Sequence, residues 1–266
     1  MQSETLKFDI GQTEVTLACL RQEGPLPPLV CLHGFGSTKE DYADLALHPE
    51  FQNRSLIFWD APGFGASHVD PSALSIPFLV KVAVAACDAL GAEQFHVSGH
   101  SMGGLTALYL AHENPERVLS FTNIEGNIAP EDCFLSRQII EHPADTAEGF
   151  AEGFIERVRQ RPENGSALYA ASLPIKVRST SYEPIFRSMV ALSDAEPLMQ
   201  MFAALPCPRS FIYGEQNRHL SYLGKLPGLG VEVVEIPHAG HFPMYSNPPA
   251  LWATMAAFLN RHDPST

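Results

Sequence analysis

The chain has 266 residues, 45% of them hydrophobic, enough for one large α/β domain or a core plus an insertion. Its formal net charge is −13 with no basic block, which disfavours nucleic acid or an anionic membrane as a partner. Mean hydropathy near zero and no long apolar run exclude a transmembrane helix, and Met1-Gln2-Ser3-Glu4-Thr5 lacks the basic and apolar regions of a signal peptide.

Residues 5–10 and 14–20 alternate polar and apolar side chains around Gly11-Gln12, predicting an antiparallel hairpin. Pro28-Leu29-Val30-Cys31-Leu32 is a continuous apolar run, as expected of a central strand buried on both faces. Similar runs follow at 55–59, 95–97 and 118–124, and late in the chain at 209–213 and 231–236. Helical periodicity lies between them, most clearly at 77–90, 104–113 and 249–261. Strands alternating with helices predict an α/β fold with a doubly wound, mostly parallel sheet. Ligands of such sheets bind beyond the carboxyl ends of the strands. The segment 128–205 carries no strand signal, only helix-like stretches at 132–141, 146–160 and 183–205. It is expected to form a helical cap over a core made of 1–127 and 206–266. The five cysteines (Cys19, Cys31, Cys87, Cys133, Cys207) are odd in number and contain no C-x-x-C, which predicts reduced, buried thiols and a cytoplasmic protein.

One motif dominates. Gly99-His100-Ser101-Met102-Gly103 reads G-x-S-x-G between a β-prone run and the helix former Leu105-Thr106-Ala107-Leu108-Tyr109-Leu110-Ala111. That strand–turn–helix context is what a nucleophile elbow requires, because its serine sits in a strained backbone conformation. A serine hydroxyl attacks poorly unless a base takes its proton. His241, in the glycine-flanked Ala239-Gly240-His241-Phe242 after the last strand, is the candidate base. His33, His96, His100 and His238 are read as structural or loop residues. The oxyanion formed when Ser101 attacks a carbonyl needs backbone N–H donors, and one is expected from Met102, directly after the nucleophile.

These residues resemble the α/β-hydrolase family across nearly the whole core. The resemblance rests on Leu32-His33-Gly34-Phe35-Gly36, Asp60-Ala61-Pro62-Gly63-Phe64-Gly65, the elbow, and Ala239-Gly240-His241-Phe242, in that order. It implies a second oxyanion donor from the Phe35 N–H, with the Phe35 and Met102 side chains free to shape a substrate pocket. It implies Asp60 and its turn as a structural loop beside the site. It also implies an acid between serine and histidine in the chain.

The common position for that acid, within Gly214-Glu215-Gln216-Asn217-Arg218, holds Asn217, and an amide cannot hold the imidazole in the required tautomer. Some members of the family carry a glutamate after the preceding strand. Glu125, 24 residues after Ser101, ends the nearly all-apolar run 118–124, where an ionised side chain wants a partner. Glu125 is therefore the expected acid, with Glu215 next.

The expected chemistry is hydrolysis of carboxylic esters, lactones included, by an acyl-enzyme on Ser101. Phe134, Leu135, Phe150, Phe154, Ile155, Phe186, Met189, Leu198, Met199, Met201 and Phe202 in the cap are expected mostly to pack helices onto the core, and with Phe35 and Met102 they point to a mainly apolar small-molecule ester. A C–C bond hydrolase or lyase using the same residues, and a non-catalytic ligand-binding protein, are the alternatives. No metal-binding or dinucleotide motif occurs, so no cofactor is expected.

Overall fold

The structure, a computed structural model, describes residues 1–264. Eight strands form one sheet: β1 (Gln2–Ile10), β2 (Thr13–Gln22), β3 (Leu26–Leu32), β4 (Arg54–Trp59), β5 (Phe95–His100), β6 (Val118–Ile124), β7 (Arg209–Gly214) and β8 (Glu232–Ile236). Their spatial order is β1-β2-β4-β3-β5-β6-β7-β8. The hairpin β1–β2 joins β4 antiparallel, and every pairing from β4 onward is parallel. The second half of β3 and nearly all of β4, β5 and β6 are buried, which is why they read as apolar runs rather than alternating ones.

Helices α1 (Ile76–Ala89) and α2 (Met102–Glu113) follow β4 and β5. Ser75 caps α1 by accepting the Phe78 N–H, and Pro77 occupies the first turn, where no N–H is needed. Five helices separate β6 from β7: α3 (Gln138–Glu141), α4 (Ala147–Arg159), α5 (Ser166–Lys176), α6 (Tyr182–Ala195) and α7 (Leu198–Ala204). The short α8 (Pro243–Ser246) and long α9 (Pro248–His262) end the chain's described elements.

Three details of the helical segment differ from expectation. The stretch 132–141 is not one helix but a 3₁₀ segment, Pro130–Phe134, and the single turn of α3. The Asp132 carboxylate there accepts the Ile128 and Ala129 N–H groups, a local alternative to helical bonding. The stretch 183–205 breaks between α6 and α7 at Glu196-Pro197, where Glu196 is extended as residues before proline prefer (φ −103°, ψ 147°). Helix α5 was not anticipated, because it carries Pro174 inside it. All five cysteines are free and buried. Among the described residues no helix is long and apolar enough to cross a membrane.

Two charged clusters tie distant parts of the core together. Arg54, 1% exposed, makes a bidentate pair with Asp263 at 2.9 and 2.6 Å, and Asp263 also meets His96 Nε2. Asp60, fully buried, accepts Lys39 N, Lys39 Nζ and Ala66 N, which fixes the turn beside the loop after β3.

Candidate active site

Ser101 stands between β5 and α2 with φ 50° and ψ −116°, outside the regions that L-residues favour. Its N–H bonds to Ile124 O and its C=O accepts from Leu105 N, so the strained conformation is held from both sides. The bend also presses α2 onto the neighbouring strand: a Cβ at Gly103 would run into Leu32 O, which leaves glycine as the residue that fits.

Glu125, directly after β6, is the second non-glycine residue here with positive φ, at 46°. Its N–H bonds to Ile212 O of β7, and its carboxylate turns into the protein at 4% exposure. Gly214 N–H donates to Oε1 at 2.6 Å, while Asn217 Nδ2 donates to Oε2 at 2.6 Å. His241 Nδ1 lies 2.7 Å from the same Oε2. Thus Glu125 and His241 are brought together, and Asn217 reaches the carboxylate rather than the imidazole. Glu215 is elsewhere: its carboxylate accepts the His238 N–H.

Burial is the largest influence on both members of the pair. It pulls His241 well below the usual imidazole range, with the nearby Arg161 charge adding to the effect. Burial also pushes Glu125 upward, against the hydrogen bonds from Gly214 and Asn217 that favour its ionised form. Burial thus favours a neutral imidazole, and with its proton on Nδ1 facing Glu125 it has Nε2 as the basic atom.

Ser101 and His241 line one tight cavity. Its apolar walls are Phe35, Phe134, Leu135, Phe186, Met189 and Phe242. Asp132, Ser136 and Tyr169 contribute polar side chains. Among the described residues no hydrogen bond joins Ser101 Oγ to His241 Nε2; contacts of this kind commonly tighten only around bound substrate. The N–H groups of Phe35 and Met102 likewise have no protein acceptor among the described residues, whereas the neighbouring Ser37 N–H bonds to Gly34 O. The two side chains part company. Phe35 borders the Ser101 cavity and packs on Phe64, Tyr182 and Phe186. Met102 lines a separate small cavity with His33, Trp59 and Pro62. Of the apolar cap residues named from sequence, Phe134, Leu135, Phe186 and Met189 line the Ser101 cavity, whereas Phe150 and Phe154 stack on each other and meet Tyr182 edge-on.

Two histidines read from sequence as bystanders have definite contacts. His33 bridges two loops, its Nδ1 against Gly34 O and its Nε2 accepting the Ala61 N–H. His100, fully buried, sets its Nε2 2.7 Å from His241 O, so the residue before the serine grips the backbone of the candidate base. No spacing rule reveals such a contact, because His100 ends β5 and His241 lies in the loop after β8. Among the described residues no group of three or more His, Cys, Asp or Glu side chains is placed to hold a metal.

The profile of the alpha/beta hydrolase fold matches residues 27–167, and the chain belongs to that family. It is 26% identical over 257 residues to the dihydrolipoyllysine-residue acetyltransferase component of the acetoin cleaving system of Pseudomonas putida. That match covers 88% of this chain but 64% of the relative, so the chain spans under two thirds of that protein's length. It is 27% identical to the pimeloyl-[acyl-carrier protein] methyl ester esterase of Xanthomonas campestris pv. campestris, over 80% of this chain and 84% of the relative. A thermophilic esterase from Thermogutta terrifontis superposes with a TM-score of 0.76 at 19% identity, covering 99% of this chain and 100% of that one, which is a likeness of fold.

Proposed function

We propose that this α/β-hydrolase cleaves carboxylic esters of small, mainly apolar molecules, lactones included, by serine catalysis. Ser101 is the nucleophile, His241 the general base and Glu125 the acid that orients it. The observation that carries the reading is the 2.7 Å contact between His241 Nδ1 and the buried Glu125 carboxylate, on the wall of a cavity shared with Ser101. The methyl ester esterase relative supports ester hydrolysis as the reaction class.

In the first step Ser101 Oγ bonds to the ester carbonyl carbon as its proton passes to His241 Nε2. The charge that builds on the carbonyl oxygen is met by the N–H groups of Phe35 and Met102. The imidazolium, stabilised by Glu125, returns the proton to the leaving alkoxide as the C–O bond breaks. Water then attacks the acyl-enzyme, giving its proton to His241, and Ser101 departs with the proton returned. The segment 128–205 acts as the cap, and its Phe134, Leu135, Phe186 and Met189 exclude water from the acyl-enzyme.

The test is labelling by a fluorophosphonate probe together with turnover of p-nitrophenyl esters of graded acyl length. Labelling and turnover that vanish in Ser101→Ala are expected. A protein that stays unlabelled while folded sinks the reading and leaves a ligand-binding protein on this fold. Labelling without ester turnover points instead to C–C bond chemistry on the same residues.

A further inference from the structure

The cavity beside Ser101 holds a polar group that the proposed chemistry does not use. Tyr169, on α5, is fully buried, and its hydroxyl has no hydrogen-bond partner among the described residues. Its ring cannot swing away to find one. One edge packs on Gly36, where an added Cβ would run into Cε2, and one face stacks on Phe242 at 4.2 Å and 25°. The tyrosine is therefore clamped between the loop after β3 and the residue following His241.

A buried hydroxyl without a partner costs folding free energy, and phenylalanine would fill the same space without that cost. The other polar groups of the cavity do not answer it. Asp132 is satisfied by the Ile128 and Ala129 N–H groups and by Tyr222 Oη. His241 Nδ1 is engaged by Glu125. Ser136 Oγ, also buried on this wall, has no hydrogen-bond partner among the described residues. A mainly apolar cavity wall that carries one rigid free hydroxyl and a second unpaired one suits a ligand that brings an oxygen of its own.

We infer that the Tyr169 hydroxyl donates a hydrogen bond to a second oxygen of the substrate, so that the preferred esters carry an ether, keto or hydroxyl oxygen within a few bonds of the reacting carbonyl. The inference rests on the hydrolase reading above and narrows its substrate class. Pure alkyl esters of the same shape leave the tyrosine unpaired, which penalises them.

Matched esters differing by one CH₂-to-O replacement test it. On the acyl side these are p-nitrophenyl butanoate and p-nitrophenyl methoxyacetate; on the alcohol side, butyl and 2-methoxyethyl esters of one acid. Each rate is divided by that of hydroxide-catalysed hydrolysis to remove intrinsic reactivity. In the wild-type protein kcat/KM is expected to favour the oxygen-bearing member of at least one pair by about tenfold, and Tyr169→Phe to remove that preference. The variant should melt at the wild-type temperature or above, since it loses only an unpaired group. Equal rates within both pairs for the wild type, or a preference untouched by Tyr169→Phe, overturn the inference; the second result is also expected if a bound water serves the hydroxyl. If wild-type protein is labelled by fluorophosphonate and hydrolyses alkyl esters, such a failure leaves the hydrolase reading standing. If it neither labels nor turns over any ester, both fall.

Discussion

Replacing Glu125 by glutamine removes one charge and almost no volume, so its effect follows from hydrogen-bond polarity. In the wild type Oε1 accepts from Gly214 N, and Oε2 accepts from both Asn217 Nδ2 and His241 Nδ1. Glutamine offers one oxygen and one NH₂. If the oxygen serves Gly214, the NH₂ faces two donors, and His241 must shift its proton to Nε2 to accept from it. The base is then lost. If the oxygen faces His241, the NH₂ opposes the Gly214 N–H and a buried backbone donor goes unpaired, at about 1–3 kcal/mol of stability. Neither arrangement supplies a negative charge to the imidazolium. By analogy with acid-to-amide changes in serine proteases, kcat should fall about 10⁴-fold, or about 5 kcal/mol of barrier. Asn217→Ala removes a single donor from a carboxylate that keeps two others, and should cost kcat less than about tenfold. Initial rates on a p-nitrophenyl ester, with thermal melting as the folding control, decide the matter. A Glu125→Gln protein within tenfold of wild type, or an Asn217→Ala protein more impaired than it, refutes the assignment of Glu125.

Burial lowers the His241 pKa, and neutral imidazole is the working form, so activity should persist into more acid solution than an ordinary histidine near 6.5 allows. The acid limb of kcat/KM is expected clearly below that value; a limb at or above it would contradict the burial argument. His100→Ala frees the His241 carbonyl and should lower kcat by about tenfold to a hundredfold with little change in KM, since small misplacements of a base are costly. Unaltered kcat in a folded His100→Ala protein would reduce that contact to packing. Asp263→Ala leaves Arg54 buried without its carboxylate and should cost about 3–5 kcal/mol, read as a lowered urea midpoint. A loss under about 1 kcal/mol would mean that water replaces the partner.

The strands and the serine turn were legible because each leaves a local signature. A strand buried on both faces must be apolar along its length, and the bend at Ser101 admits only small residues at Gly99 and Gly103. Glu125 was legible for a related reason, as a charge ending an apolar run with nowhere to go but a partner. The use made of Asn217 was not. Sequence order shows an amide where a carboxylate was expected, but not that Glu125 reaches across to be held by it. His100 and Tyr169 were hidden for the same cause, since their contacts join segments 141 and 73 residues apart. In the segment between β6 and β7, the helix containing Pro174 and the break at Pro197 show proline's two faces. Within α5 the packing tolerates it, while at Pro197 the restricted preceding residue ends a helix.

Because Glu125 directly follows β6, Ser101 and the carboxylate sit on a single strand–helix–strand module, β5–α2–β6, while the stretch from Gly214 to Asn217 supplies two N–H donors to that carboxylate and, through Glu215 and Gln216, also anchors the loop that carries His241. Protein engineers could therefore move that module between scaffolds as one cassette only if the receiving loop brings both the donors and the anchor.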